Sequence, residues 1–211
     1  MFDTVLDNFT GGDENPIATN WSGPIRSGDS QLERLSNKLA HTAGSSGGSY
    51  YDITTFGPDV EAFITLDTLN VEDGSAHSHL IVRGNGFGTS SPTGYSVYIF
   101  RNAGASNDWL TAARWNGTGS YVDLGASVNI GDWVAGEKIG IRVIGNTITG
   151  WRYTGGSWSE ILSRTDSTYA ASGSVGLWDQ TDSGARWDDF GAATVSPLDM
   201  NIRIVQSSLR W

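Results

Sequence analysis

The stretch Glu137–Tyr153, EKIGIRVIGNTITGWRY, decides the fold class of this chain. Its first half places Ile139, Ile141 and Val143 at every second position, with charged residues or glycine between them. A period of two is that of a β-strand with one buried face, because successive side chains of a strand point to opposite sides. The Gly145–Asn146 pair separates this run from a second one, and such pairs close two-residue hairpins. The stretch therefore predicts two antiparallel strands joined by a tight turn.

The same alternation recurs along the chain. In Asp59–Asp67, DVEAFITLD, every second residue from Val60 to Leu66 is apolar. Further strand candidates, separated by turn-forming residues, are Lys38–Thr42, His77–Val82, Gly94–Arg101, Trp109–Trp115, Trp158–Arg164, Ser174–Trp178 and Arg186–Ala192. Many short strands without a long helical pattern predict an all-β fold, a two-sheet antiparallel β-sandwich or jelly roll.

Two segments leave more room for interpretation. Asp29–Ala40 fits a short helix or two short strands, and a turn at Ser36–Asn37 favours the strands. Gly44–Gly48, rich in glycine and serine, is predicted to be a turn between strands.

The composition narrows the function classes. With 211 residues the chain suits one all-β domain, or at most two small ones. The absence of cysteine excludes disulfides and thiolate metal sites. A formal net charge of −10 argues against a nucleic-acid partner, since phosphate binding needs clustered basic residues. We expect no membrane partner and synthesis in the cytoplasm, because the sequence shows neither a long apolar run nor a secretory signal pattern.

Nearly the same acidic-aromatic motif stands near both ends of the chain. Leu6–Thr10 reads LDNFT and Ala185–Gly191 reads ARWDDFG. The repetition suggests that the two segments lie side by side as strands of one sheet. We therefore predict a single jelly-roll domain over residues 1–195.

The character of the sequence changes after Val195. Ser196–Pro197 ends the last strand, and residues 196–211 form a C-terminal extension in which Ile202, Ile204 and Leu209 provide an apolar pattern. This extension is either a strand laid on the sandwich or a docking tail for a larger assembly.

A set of short motifs follows a recognisable order along the chain: Leu6–Thr10, Asn20–Trp21, Arg34–Leu39, Asp59–Ala62, Gly94–Tyr95, Gly140–Gly145, Ser172–Leu177 and Trp187–Phe190. This order resembles the concanavalin A-like (laminin-G-like) jelly-roll domains found in bacteriophage virion proteins and in carbohydrate-binding modules. The resemblance covers roughly residues 5 to 195. It implies two antiparallel sheets packed face to face, with the first and last strands as neighbours.

The resemblance also implies one structural Ca²⁺ near the chain ends. Asp7, Asp188 and Asp189 are the candidate ligands, because calcium prefers oxygen-rich sites of flexible geometry. Adjacent Asp188 and Asp189 point to opposite faces of a strand, so only one of them can serve. Alternatively, Asp7 and Asp188 point to solvent or pair with Arg186.

A glycan-binding face is the second candidate site. Aromatic rings stack on the C–H face of a sugar, while guanidinium groups bind its hydroxyls. The residues predicted to form this face are Tyr98, Trp115, Trp151, Tyr153 and Arg142, with Arg83, Arg101 and Arg114 as further donors. The alternative is that most of these tryptophans belong to the core, which is the more common place for any single one.

Hydrolysis is the third candidate. Asp59 and Glu61 share one strand face, about 6.5–7 Å apart, and glycosidases use paired carboxyl groups. Solvated carboxylates on a sheet explain the same pattern, so no catalytic residue is predicted. His77 and His79 form an alternate-residue pair for which the sequence shows no third metal ligand.

Together these patterns favour a non-enzymatic bacteriophage virion structural protein, either a capsid decoration or a tail adhesion module. Its expected partners are other virion proteins, further copies of itself and a host-surface polysaccharide. The alternative is a carbohydrate-binding module or a glycan-cleaving enzyme of the same fold.

Overall fold

The computed structural model describes residues 2–68, 76–101, 108–180 and 184–196. Within these ranges the chain forms β-strands and no helix, and hence no helix able to cross a membrane. Beyond Ser196 the predicted C-terminal extension lies outside the described residues, so its role stays a prediction.

The described residues form fifteen strands of two to eleven residues. In chain order they are β1 Trp21–Ser22, β2 Glu33–Leu35, β3 Lys38–Ala40, β4 Ser46–Phe56, β5 Val60–Thr68, β6 His77–Asn85, β7 Thr93–Phe100, β8 Trp109–Asn116, β9 Tyr121–Asp123, β10 Val128–Asn129, β11 Lys138–Ile144, β12 Thr147–Thr154, β13 Ser157–Thr165, β14 Gly173–Gln180 and β15 Arg186–Thr194.

These strands form two antiparallel sheets, which confirms the predicted β-sandwich. The eight-stranded sheet has the order β1-β4-β14-β6-β7-β8-β10, with β9 also paired to β8. The seven-stranded sheet has the order β13-β12-β11-β5-β15-β3-β2. The hairpin predicted at Gly145–Asn146 joins β11 to β12, with Gly145 at a φ of 54°.

The core lies between the two sheets and is built from the alternating apolar residues. Val60 and Ile64 of β5 pack there together with Ile141 of β11, and all are fully buried. From the eight-stranded sheet, Leu80 and Val97 face them. Burial of each such side chain contributes about 1.5–3 kcal/mol, so the period-two pattern is also the main source of stability.

The two acidic-aromatic motifs are neighbours, as predicted, but residues 6–10 form no strand and meet β15 through one bridge. The first strand, β1, pairs with β4 in the other sheet, so the expectation that the first and last strands are neighbours is wrong. Asp7 and Phe190 form an antiparallel bridge in which the Phe190 N–H donates to the Asp7 carbonyl at 2.8 Å. The Trp21 ring contacts both motifs: its centroid lies 4.9 Å from the Phe190 ring and 5.7 Å from the Phe9 ring. The two ends of the domain therefore share one buried aromatic contact.

Two glycines explain why part of a predicted turn is a strand in the structure. The turn predicted at Gly44–Gly48 is wrong in its second half, because β4 already begins at Ser46. A Cβ atom on Gly47 would lie 2.8 Å from the His41 ring, and one on Gly48 would lie 2.7 Å from the Ile25 side chain. These glycines allow close packing against a strand, whereas the sequence pattern indicated a bend.

Candidate functional site

The residues predicted to bind a glycan lie on two opposite surfaces of the sandwich. Tyr98 and Trp115 belong to β7 and β8 and point outward from the eight-stranded sheet. Arg142, Trp151 and Tyr153 belong to β11 and β12 and point outward from the seven-stranded sheet. The sandwich separates the two groups, so they do not form one face.

Tyr98 and Trp115 are also buried, with 4% and 0% of their surface exposed. The reason is a small second core on the outer side of the eight-stranded sheet, where the Tyr121 ring packs against both of them. The Trp115 ring packs 5.1 Å from the Trp178 ring in a T-shaped contact. In this arrangement neither predicted ring presents a face to a sugar.

Burial also fixes the charge state of this second core. Desolvation lowers the pKa of His79 well below its usual value, and His77 lowers it further, so His79 is neutral at pH 7. Burial first, and then the Asp123 carboxylate, raise the pKa of Tyr121 to about 12. The same causes raise the pKa of Tyr98, whose hydroxyl donates to Asp123 Oδ1 at 2.9 Å.

One row of side chains on the outer side of the eight-stranded sheet stays partly open to solvent. Gln180 pairs with His77, His77 with Phe100, Phe100 with Trp109, and Trp109 with Asn129, across five adjacent strands. We call these residues the cross-strand row. Asn129 is exposed and the other members are half-buried. Since neighbouring strands lie about 4.8 Å apart, the row is about 19 Å long.

The chemistry of this row is suited to a hydroxyl-rich chain. Phe100 and Trp109 are nearly parallel, with an interplanar angle of 5° and ring centroids 6.3 Å apart. His77 Nδ1 shares a hydrogen bond with the Tyr121 hydroxyl at 2.5 Å, and this bond orients the imidazole. Two neighbouring apolar rings are thus flanked by an imidazole and a carboxamide group on one side and by a carboxamide group on the other.

No residue of this row is among the glycan residues predicted from the sequence. The row depends on strand register, which places positions far apart in sequence side by side. A local signal existed in the β7–β8 hairpin, whose last ladder pair is Phe100 and Trp109. Two aromatic residues facing each other at the end of a hairpin mark a place where rings can remain accessible.

The outer side of the seven-stranded sheet contains a cleft of about 200 Å³. Its floor is an ion pair in which Arg142 Nε donates to Glu61 Oε2 at 2.9 Å and Nη2 donates to the same oxygen. The Phe2 backbone N–H donates to Glu61 Oε1 at 2.7 Å, and the Phe2 ring lies 4.3 Å from the Trp158 ring. Residues 2–4 therefore form one wall of this cleft, which we call the Arg142 cleft.

The other arginines proposed as sugar donors are engaged within the protein. Arg83 is 2% exposed and donates to backbone carbonyls. Arg114 Nη1 donates to Asp166 Oδ2 at 2.7 Å. Arg101 Nε lies 3.5 Å from Asp108 Oδ2. Two of the predicted guanidinium groups border described clefts: Arg142 lines the Arg142 cleft, and Arg101 lines a second one beside Trp133.

The predicted calcium ligands do not converge. Asp7 accepts from the Phe9 N–H at 2.7 Å and from Trp21 Nε1 at 2.8 Å. Asp188 pairs with Lys38, and Asp189 pairs with Lys138 at 3.1 Å. Within the described ranges, no cluster of three histidine or acidic side chains is arranged to hold a metal ion. These carboxylates therefore do not fit the calcium site that the resemblance implied.

Asp7→Ala is expected to destabilise the domain by about 1–3 kcal/mol, because two buried N–H donors lose their acceptor. The measurement is the free energy of unfolding by urea, with and without EDTA. We expect the same loss in both conditions, whereas a calcium ligand would lose its effect once the metal is removed. Asp3→Ala, at an exposed position on the same segment, is the matched control.

Asp59 and Glu61 are each bound by groups of the protein itself. Asp59 Oδ1 accepts from the Gly145 N–H at 2.8 Å, while Glu61 is bound to Arg142 and to Phe2. General acid–base hydrolysis needs one carboxyl group that is protonated and one that can approach the sugar. The observed partners instead assign both side chains to structural contacts.

This architecture is shared with solved structures of other proteins, although the sequence itself has no match. No protein-family model and no curated protein matches the sequence. Among solved structures, the chain is similar to carbohydrate-binding module CBM66 from Bacillus subtilis, with a TM-score of 0.57 and 12% identity over 90% of this chain and 100% of that one. The fold is that of the lectin-like β-sandwiches.

Two further matches show how widely this lectin-like sandwich is used. The exoplasmic/lumenal domain of VIP36, in a form bound to Ca²⁺ and Man3GlcNAc, matches with a TM-score of 0.57 and 12% identity over 86% of this chain and 88% of that domain. A xylan β-1,4-xylosidase from Bacillus halodurans matches with a TM-score of 0.58 and 15% identity, over 90% of this chain but 39% of the enzyme. At these identities the likeness establishes the fold alone.

Proposed function

We propose that this domain is a non-enzymatic glycan-binding module that holds a neutral polysaccharide along the cross-strand row. The observation that carries the proposal is the register of Gln180, His77, Phe100, Trp109 and Asn129 across five strands. Their side chains stand in one partly open line beside a rigid second core. Such pre-organisation lowers the entropic cost of binding.

Charge selects the class of glycan. The chain carries a formal net charge of −10, so its field repels uronic, sialylated or sulfated polymers. His79 and Tyr121 beside the row are uncharged at neutral pH, because burial shifts the pKa of each away from 7. Stacking on rings and hydrogen bonding to neutral hydroxyls are the interactions that remain.

The absence of catalysis is part of this proposal. Support comes from the internal partners of Asp59 and Glu61, the acids that the sequence placed on one strand face. This chain covers 100% of the matched carbohydrate-binding module and 88% of the VIP36 domain, but only 39% of the matched xylosidase. Incubation with a reducing-end assay on xylan and mannan should detect no turnover.

Trp109→Ala is expected to weaken polysaccharide binding at least tenfold, because it removes half of the ring pair at the centre of the row. Affinity electrophoresis in gels containing mannan, xylan or dextran measures this, and polygalacturonate serves as the acidic probe. We expect retardation by at least one neutral polymer and none by polygalacturonate.

Ile53→Ala, a 61% exposed apolar residue on β4, is the control for loss of surface area and should bind as the parent does. Unchanged binding of Trp109→Ala, or a preference for polygalacturonate, would contradict the proposal.

We further propose that the module is displayed on a bacteriophage virion, as a capsid decoration or tail adhesion protein. The resemblance noted in the sequence supports this setting, and the acidic charge would keep many copies soluble before assembly. Repeated display would convert weak sugar binding into avidity. Co-sedimentation of the protein with virions on a density gradient tests it, and recovery only in the soluble fractions would refute it.

A further inference from the structure

We propose that the Arg142 cleft is a second sugar site, so that one copy of the domain holds glycans on both outer surfaces at once. This inference takes its ligand class from the proposed function but rests on a different set of residues. The cleft lies on the seven-stranded sheet and the cross-strand row lies on the eight-stranded sheet. A single copy would therefore connect two polysaccharide chains.

The size of the cleft indicates a small ligand. Its volume is about 200 Å³. Pockets for drug-sized ligands start at about 300 Å³. A single sugar residue or another small polyol is therefore the size class that this cleft admits.

The polar groups of the cleft match hydroxyls better than ions. Arg142 Nε and Nη2 donate hydrogen bonds to Glu61, whereas Nη1 takes part in neither of these bonds. Thr194 Oγ1 accepts from the Gly57 N–H at 2.8 Å, so its own O–H remains a donor. Glu61 neutralises the guanidinium, and Asp3 adds a negative charge at the rim. A neutral polyol satisfies these groups, whereas an anion would meet two carboxylates.

The apolar wall supports the same ligand class. The Phe2 and Phe63 rings border the cleft and lie 6.3 Å apart at 79°. Trp151 backs Phe2 at 6.1 Å and holds it in place. Aromatic surface beside a donor–acceptor pair is the combination that sugar binding requires, because a sugar presents an apolar C–H face and a polar rim.

Two variants test the cleft from different directions. Arg142→Gln removes the guanidinium, and Ala193→Phe fills the cleft while leaving the Arg142–Glu61 pair intact, since Ala193 is a partly buried lining residue. The probes are mannose, xylose, glucose and glycerol, titrated into the ¹⁵N-labelled full chain. Amide shifts at Phe2 and Thr194 and the Arg142 Nε–H signal report on the cleft, and those of Phe100 and Trp109 report on the row.

We expect at least one probe to shift the cleft signals in the parent and in Trp109→Ala, and to lose at least tenfold in affinity in Ala193→Phe. If Arg142→Gln is unfolded, the Ala193→Phe result stands alone. Cleft signals that no probe moves, or that move equally in Ala193→Phe, would overturn the second site. Retardation by a neutral polymer in gels would still support the row, so the two proposals fail separately.

The functional consequence is measured with polysaccharide. Light scattering of a neutral polymer that retards the parent should rise on addition of the domain, at a concentration at which sedimentation finds it monomeric, because each copy joins two chains. Trp109→Ala and Ala193→Phe should each abolish this rise, since each leaves one site. Persistent cross-linking by either single variant would show that the connection does not run through these two sites.

Discussion

Arg83→Met is expected to lower the free energy of unfolding by about 3–5 kcal/mol, because it removes a buried cation that several backbone groups need. The Arg83 side chain is 2% exposed. Nη1 donates to the Tyr169 carbonyl at 2.8 Å, Nη2 donates to the Gly145 carbonyl at 2.9 Å, and Nε donates to the Pro58 carbonyl. Methionine has a similar shape and no donors, so these carbonyls would remain buried without partners.

The position of the acceptors explains the size of this effect. Pro58 lies between β4 and β5, Gly145 lies in the β11–β12 turn, and Tyr169 lies between β13 and β14. Arg83 itself belongs to the eight-stranded sheet. One guanidinium therefore ties to β6 a turn of the seven-stranded sheet and two connections that run between the sheets, and its loss would loosen that end of the sandwich.

Urea denaturation of Arg83→Met and Arg114→Met measures the difference. Arg114 is the matched control, because its guanidinium also donates hydrogen bonds within the protein but its side chain is 30% exposed. Exposed ion pairs contribute about 0–1 kcal/mol, so Arg114→Met should remain close to the parent. Equal losses in the two variants would show that Arg83 is an ordinary surface arginine.

Arg83 also shows where sequence reasoning ends. Strict alternation from His79 and Ile81 would place Arg83 on the outer side of β6. The register of the β6–β7 pair shifts between Val82 and Asn85, and Arg83 has a φ of 51°. An irregularity of this kind redirects a side chain to the other side of a strand. The period-two pattern does not contain that information.

The strands themselves could be predicted because each carries its own signal. The apolar alternation of β5 and β11 and the turn at Gly145–Asn146 are local features that the packing confirms. The turn at Ser36–Asn37 is confirmed by left-handed φ values of 55° and 61°. Local signals therefore determine which residues are extended and which of their sides is apolar.

The site required information of another kind. The cross-strand row exists because His77, Phe100 and Trp109 come into register, and register depends on contacts between distant strands. Trp151 and Trp115 have similar surroundings in the sequence, yet one is partly exposed and the other is fully buried. What separates them is the second core: the rings of Tyr121 and Trp178 pack against Trp115, whereas the ring that contacts Trp151 is that of Phe2.

Trp115→Ala is expected to destabilise the domain by about 3–5 kcal/mol, the range for removal of a buried aromatic side chain. The Trp115 ring is fully buried and contacts the rings of His79, Tyr121 and Trp178, with centroids 5.1 to 5.7 Å away. Alanine would leave a cavity that these large rings cannot close without moving. Thermal and urea unfolding measure the loss.

Trp109→Ala on the same strand separates the core from the binding surface. Trp109 is half-buried and belongs to the cross-strand row, so its truncation should cost less stability than that of Trp115 and should remove polysaccharide retardation. Trp115→Ala, measured at a temperature at which it is folded, should still be retarded in the gel. If Trp115→Ala remained stable but lost binding, the second core on the eight-stranded sheet would itself be the sugar platform, and the cross-strand row would not be the site.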